Sequence, residues 1–553
     1  MTEESFDYVI VGAGSAGCVL GDRLSADGRQ RVLLIEYGGD DRSIYIQMPS
    51  ALSIPMNMKR YNWFYHSEPE PNLDGRRLHT PRGKVLGGSS SINGLVYIRG
   101  NPLDFERWAR EGAAGWAYRD VLPYFKRAER REEGGDAYRG NAGKLQTRYG
   151  STRNPLHAAW LAAGEQAGYP RTADVNGYQQ EGFGRMDMTV GQGRRCSAAR
   201  AYLYPARRRA NLEVLTHALA TRVLFEGRRA RSLLYSRAGR GHRVRAEKEI
   251  ILCAGPINSP QLLKLSGVGP AAELKSHGIE VVRDLPGVGE NLQDHLEFYF
   301  QVACREPITL YSSIHWWNRA LIGARWILRK DGLGATNHFE TCGFIRSRAG
   351  IEYPDIQYHF LPMAVAYDGS TLAQEHGFQA HVGPMRSKSR GSVRLASADA
   401  LDAPKIRFNY LSEPDDWIEM RACVRLTREL FAQSAFDRYR GRELQPGADV
   451  QSDAQIDAFI RAKVESAYHP SCSCKMGAAA DPMAVVDAQT RVHGLEGLRV
   501  VDSSIMPSIT TGNLNAPTIM LAEKAADHIL GGPLLAPEDA RFHRAPNWQG
   551  AQR

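Results

Sequence analysis

No stretch of this sequence approaches about eighteen uninterrupted apolar residues, so no transmembrane helix is expected. Cysteine is scarce, with 8 in 553 residues. Most stand alone in apolar stretches, where the thiol acts as a small buried hydrophobe. Only Cys472 and Cys474 lie close together, as C-x-C, without the second half of a zinc site, so no metal is expected. The pattern suits a reducing cytoplasm. There is no internal repeat and no low-complexity segment. The start, MTEESFDYVIVGAGSAG, is acidic, and its short apolar run breaks on glycines, so no secretory signal is expected. The net charge of +9 is modest for the length. Clusters such as Arg207-Arg208-Arg209 read as solvated helix ends or loops, and no nucleic-acid partner is expected.

What is present is an ordinary globular composition, 43% hydrophobic and 24% charged. The length corresponds to roughly two to four domain-sized units. Asp7 to Val11 reads as a strand, Gly12 to Gly17 as a turn, Ala16 to Ser25 as a helix and Arg31 to Glu36 as a second buried strand, a βαβ-type start. His381 to Arg386, Ser392 to Ser397 and Lys405 to Tyr410 are short β-rich runs between turns and predict a separate antiparallel sheet. Gly497 to Asp502 then reads as a strand, and Pro517 to Leu530 as a helix with proline in its first turn. The expected class is α/β (α+β overall), with a discontinuous Rossmann-like domain built from both ends of the chain and part of its middle. Residues after Gly531 read as a loose tail.

Four motifs carry chemistry. The first is Gly12-x-Gly14-x-x-Gly17 with Glu36 ending the next strand. Gly12 permits the turn, Gly14 lets the backbone approach a pyrophosphate, and Gly17 lets the helix pack closely. Glu36 can accept hydrogen bonds from ribose hydroxyls. This context predicts dinucleotide binding without saying which dinucleotide. The second is Gly83-Lys84-Val85-Leu86-Gly87-Gly88-Ser89-Ser90-Ser91-Ile92-Asn93-Gly94, whose amides suit phosphate or a ring edge, and which reads equally well as a plain loop. The third is a strand end at Cys253-Ala254-Gly255 before a helix. The fourth joins Tyr468-His469-Pro470 with the run from Asp502 to Pro517.

Together and in this order, these motifs resemble the signatures of the glucose–methanol–choline oxidoreductase family, over nearly the whole chain. The stretches KRYNWFYHSEPEPN, NGYQQEGFGRMDMTV, GLGATNHFETCGFIRS, PDIQYHFLPMAVAYDGS and EHGFQAHVGPMRSKSRGSVRL are similar to its choline-oxidising members. The resemblance implies FAD, held by Gly12, Gly14, Gly17, Glu36, Gly87, Gly88, Ser89, Asn93, Val223, Ala254, Gly255 and Asp502. It implies His469 and Asn513 as the catalytic pair, with His469 accepting the hydroxyl proton. It implies Glu340 as the carboxylate that faces a trimethylammonium group. Trp63, Phe339 and Tyr468 are candidate aromatic faces for that cation, each as readily a core residue. Ile92 stands where some relatives carry a histidine that links FAD covalently, so non-covalent FAD is expected.

The implied reaction is oxidation of choline to betaine aldehyde, with possible onward oxidation to glycine betaine. The alternative is another primary alcohol. The implied acceptor is a membrane electron carrier such as a quinone, reached from the cytoplasmic face. Oligomeric state is not readable. The expected FAD-binding domain comprises residues 1–45, 78–100, 200–300 and 465–532. The substrate domain and covering segments comprise 46–77, 101–199 and 301–464, and the tail 533–553.

Overall fold

A computed structural model describes residues 4–366 and 375–553. The first three residues and the end of PDIQYHFLPMAVAYDGS, from Tyr367, lie outside the described residues. The strand β1 (Glu4–Val11) is central to a seven-stranded sheet. On one side it pairs in parallel with β2 (Val32–Ile35), which pairs with Leu212–Leu215; on the other it pairs with Arg240–Leu252. Tyr8 to Val11 and all of β2 are buried, because a parallel strand covered on both faces must be apolar throughout rather than alternating. Leu498–Val500 adds to Arg240–Leu252 in parallel, so the sheet draws on residues from near both ends of the chain.

The two helices between which the chain closes are α1 (Ser15–Leu24) and the helix Asn515–Leu530. They pack on each other and are clamped by ion pairs from Arg23 to Glu523 at 2.6 Å and to Asp527 at 2.7 Å. The second helix starts two residues before the expected Pro517, which still falls within its first turn.

A second seven-stranded sheet is antiparallel. Its order runs Arg440–Gln445, Leu296–Cys304, Gly377–Pro384, Ile356–Leu361, Thr341–Ile345 and Gly182–Arg185, with Glu465–Ser466 beside Leu296–Cys304. The three β-rich runs expected to share one sheet do not. Gly377–Pro384 belongs to this sheet, whereas Ser392–Arg394 and Lys405–Arg407 pair only with each other. The Ser-Arg-Gly and Asp-Ala-Pro turns between the runs marked strands correctly but could not say which strands would meet.

The tail is also corrected. Residues 533–553 have no regular secondary structure but are tied along the body. Glu538 pairs with Lys126 at 2.6 Å, Phe542 packs on the apolar core that contains β1, β2 and the helix Asn515–Leu530, and Arg553 pairs with Glu429 at 2.9 Å. Proline and arginine content reported only the lack of helix or strand, not a lack of partners.

Candidate active site

The β1–α1 turn shows why its glycines are needed. Gly12 sits at φ +99°, and a Cβ there would lie 2.6 Å from the Cys253 carbonyl oxygen. A Cβ on Gly17 would overlap the Gly12 carbonyl oxygen, so that glycine sets how closely α1 packs on the turn. Gly14 instead opens onto a cavity, with nothing closer than 3.9 Å to a Cβ built on it. There α1 begins with no side-chain cap and no acid in its first turn, leaving its amides for an anion.

Glu36 lines the same cavity. Its carboxylate accepts from the Ala13 N–H at 3.0 Å and the Gly38 N–H at 2.7 Å, while burial pushes its pKa up to about 7. The second glycine loop crosses here: a Cβ on Gly88 would meet the Gly14 Cα at 2.7 Å. Gly88, Ser89 and Asn93 line the cavity, as does Ile92, while Gly87 does not and lies against Ser91 and Ala199. Ala254, Gly255 and Asp502 form a further wall. Asp502 accepts from the Gly255 N–H at 2.9 Å and the Ser259 hydroxyl at 2.6 Å, tying the helix Gly255–Leu265 to the turn after Leu498–Val500. Val223 is not in the wall. It is buried with its N–H donating to Ser266 Oγ at 2.9 Å, and Ala218, Leu219 and Ala220 line the cavity on that strand. Free helix-end amides, a carboxylate and an apolar clamp are the donor set that a dinucleotide needs.

The cavity continues to His469 and Asn513. Far apart in sequence, they meet at 3.0 Å, with Asn513 Nδ2 donating to His469 Nε2. Asn513 Oδ1 lies 3.2 Å from both Gln357 Nε2 and His359 Nε2. The backbone of His469 is pinned by Asp294, whose Oδ1 accepts from its N–H at 2.8 Å. The preceding Tyr468 is held in the left-handed region at φ +65°, with Arg82 donating to its carbonyl at 2.6 Å. Such a conformation in an aromatic residue is strained and needs these restraints.

A third residue fixes the proton on His469. His295 Nε2 faces the Met385 carbonyl at 3.0 Å, so it must carry hydrogen there. Burial pushes the His295 pKa down to about 3, so the ring is neutral and its Nδ1 is an acceptor. That Nδ1 lies 3.1 Å from His469 Nδ1, which must therefore be the donor. The lone pair of His469 is left on Nε2, facing the cavity. Burial, with His295, His359 and Arg82 nearby, holds His469 well below the ordinary histidine range, so it is a neutral base at pH 7.

The polar face of the antiparallel sheet stands above this pair and contributes Glu297 and His359 to the cavity wall. Along Leu296–Cys304, Phe298, Phe300 and Val302 enter an apolar core shared with Trp160 and Phe431, and Glu297, Tyr299 and Gln301 point the other way. Ile356–Leu361 and Gly377–Pro384 repeat the pattern with Gln357 and His359, and with Gln379 and His381. Tyr299 and His359 each pair in register with His381. All of these residues are buried, so the face is a polar interior and not a solvent surface.

Among the sequence-predicted residues, Trp63, Phe339 and Tyr468 line the cavity, and Glu340 does not. Glu340 points to the opposite side from Phe339. Its carboxylate accepts from the Thr336 hydroxyl at 2.8 Å and the Thr152 N–H at 2.5 Å, with His157 Nε2 at 3.7 Å. On the antiparallel-sheet side of the cavity the buried carboxylate in the wall is Glu297, whose Oε1 lies 3.1 Å from His381 Nδ1. Sequence reasoning missed Glu297, Asp294 and His295. The strict alternation of Leu296-Glu297-Phe298-Tyr299-Phe300-Gln301 was the signal that could have found the first of them.

Two family models described as GMC oxidoreductase match residues 6–297 and 387–522. A protein of Brucella anthropi named oxygen-dependent choline dehydrogenase is 58% identical over 99% of this chain and 100% of its own length. In structure, pyridoxine 4-oxidase from Mesorbium loti superimposes with TM-score 0.86 at 33% identity, covering 95% of this chain and 99% of that one. An FAD-dependent oxidoreductase from Chaetomium thermophilum gives TM-score 0.86 at 27% identity, over 95% and 99%.

Proposed function

The chain belongs to the GMC oxidoreductase family, and from that premise we propose that it is an FAD-dependent enzyme oxidising choline to betaine aldehyde. Choline is the substrate in the name of its full-length relatives. The observation that carries the reading is the buried Glu297 carboxylate in a chamber with Trp63, Phe339 and Tyr468, beside a histidine held as a neutral base. A permanent cation needs a counter-charge and aromatic faces once it leaves water. An apolar alcohol offers that carboxylate no counter-charge.

His469 Nε2 would accept the hydroxyl proton, because His295 keeps the other ring nitrogen protonated. Asn513 Nδ2, which donates to that lone pair, would turn to the substrate oxygen and hold the developing alkoxide. Bound FAD supplies the acceptor for the hydride that leaves the carbinol carbon. The glycine turns and Glu36 would hold its phosphates and ribose, and Ile92 offers no nucleophile for a covalent link, so acid precipitation should release the flavin. A hydrated aldehyde again presents a hydroxyl to His469, which supports onward oxidation to glycine betaine.

Steady-state kinetics test the substrate. Choline should exceed the uncharged isostere 3,3-dimethylbutan-1-ol in kcat/KM, and equal values would overturn the reading. For the electron acceptor we favour a membrane quinone. The relatives' name specifies oxygen for them. An exposed apolar helix on this chain supports the quinone, and oxygen uptake measured beside quinone reduction decides between the two.

A further inference from the structure

We infer that the helix Trp316–Arg329 is a docking element for an anionic lipid surface. Its sequence, WWNRALIGARWILR, is amphipathic, yet the apolar side faces away from the protein. Trp316, Trp317, Leu321, Ile327 and Leu328 are 76, 49, 68, 53 and 82% exposed. At 3.6 residues per turn they fall within one arc of about 140°. The opposite side is anchored by Trp326, which is buried and donates its indole N–H to the Gly193 carbonyl at 2.6 Å. A surface helix normally turns its apolar stripe inward, so a large outward one marks a contact surface.

Charge identifies what covers it. The helix contains Arg319, Arg325 and Arg329 and no acid. Arg325 pairs with Asp331 at 2.7 Å, while Arg319 and Arg329 form no ion pair among the described residues. On the same wheel Arg325 and Arg329 lie about 40° and 80° beyond one edge of the apolar arc and Arg319 about 60° beyond the other. Two copies of the helix facing each other would set arginine against arginine, whereas anionic headgroups meet the cations while acyl chains receive the tryptophans and leucines. At about 21 Å the helix is too short to span a bilayer, and no described helix is long and apolar enough to cross one, so it would lie in the interface. Leu333, 42% exposed in the next turn (Gly332–Ala335), extends the patch. That turn contacts Pro49–Ala51, in the covering segment whose Met56 lines the cavity. Docking would therefore bring the covering segment of the cavity toward the membrane.

The inference deepens the quinone reading and rests on it for its purpose, though not for its physics. The test is co-sedimentation of purified holoenzyme with vesicles of phosphatidylglycerol mixed into phosphatidylcholine, and with phosphatidylcholine alone. Wild type should bind the anionic vesicles and be released by salt. The pair Leu321→Ser with Leu328→Ser, and separately Arg319→Glu with Arg329→Glu, should each cut binding at least about tenfold while turnover with a soluble dye is unchanged. The charge pair touches only surface positions and keeps the test valid should the leucine pair misfold. Wild type that ignores anionic vesicles, or variants that bind like wild type, would overturn the inference. A wild-type dimer that the leucine pair dissociates, without vesicle binding, would assign the face to a second copy instead. Binding to vesicles without quinone reduction would sink the acceptor reading and leave the docking helix standing.

Discussion

The two halves of the cavity are built in opposite ways. The dinucleotide end is made by short motifs, where Gly12, Gly14 and Gly17 lie within six positions and Glu36 ends the next strand. It contacts its ligand mainly through backbone, and glycine is the residue that exposes backbone. The alcohol end is made by side chains from three neighbouring strands and two distant loops. A local motif can encode a turn, but only a register can bring Glu297, His359 and His469 to one chamber. Chemistry should therefore be lost by single changes at the alcohol end, and cofactor affinity by changes at the dinucleotide end.

The largest expected effect is at the base. His469→Ala should lower turnover by about 100-fold or more with flavin content intact. A variant with wild-type turnover would remove that residue from the mechanism, and one that loses flavin would erase the division between the two ends. Next comes the choice between two buried carboxylates. Glu297→Gln should weaken choline binding by about 2–5 kcal/mol and spare 3,3-dimethylbutan-1-ol. Glu340→Gln should keep the preference for choline and lower Tm, since Glu340 serves the Thr152 N–H and the Thr336 hydroxyl. The reverse outcome would return the cation site to Glu340.

At the dinucleotide end, Glu36→Ala should cost about 1.5–3 kcal/mol of FAD affinity for each ribose hydrogen bond lost. Flavin occupancy after dialysis measures it, and unchanged occupancy would exclude Glu36 as the ribose acceptor. The smallest effect is on stability with pH. His295 and His469 are held neutral in the folded chain, while in the unfolded chain they protonate near pH 6.5. Below that pH the unfolded state binds more protons, so stability rises with pH and falls on acidification. Each buried ring should cost about 1 kcal/mol at pH 6, and His295→Gln should flatten the fall of Tm between pH 7 and 5. An unchanged slope would mean that His295 is not buried as a neutral ring.

The same division explains what could be read from sequence. The glycine fingerprint, the βαβ start and the closing helix followed from spacing and periodicity alone. His469 and Asn513 came through resemblance to a family, because no local pattern singles out one histidine among 16. Glu340 was assigned through a short motif that fixes its neighbourhood and not its direction. One step along the chain reverses the direction, and Phe339 rather than Glu340 meets the cavity. Val223 failed similarly, by lying beyond the part of its strand that forms the wall. His295 acts through a ring-to-ring contact across 174 positions, which leaves no trace in sequence spacing.

The clamp between α1 and the helix Asn515–Leu530 has a consequence for how the protein is made. Arg23 leaves the ribosome early, but its partners Glu523 and Asp527 follow some 500 residues later. At about 5–20 residues per second, α1 waits roughly half a minute to two minutes for the helix that packs on it. Through that interval the face of α1 that this helix covers is open to water and to other nascent chains. The fold thus sets a demand on chaperones that grows with the length inserted between the two helices, and slow translation or low temperature should reveal it as aggregation of otherwise stable protein.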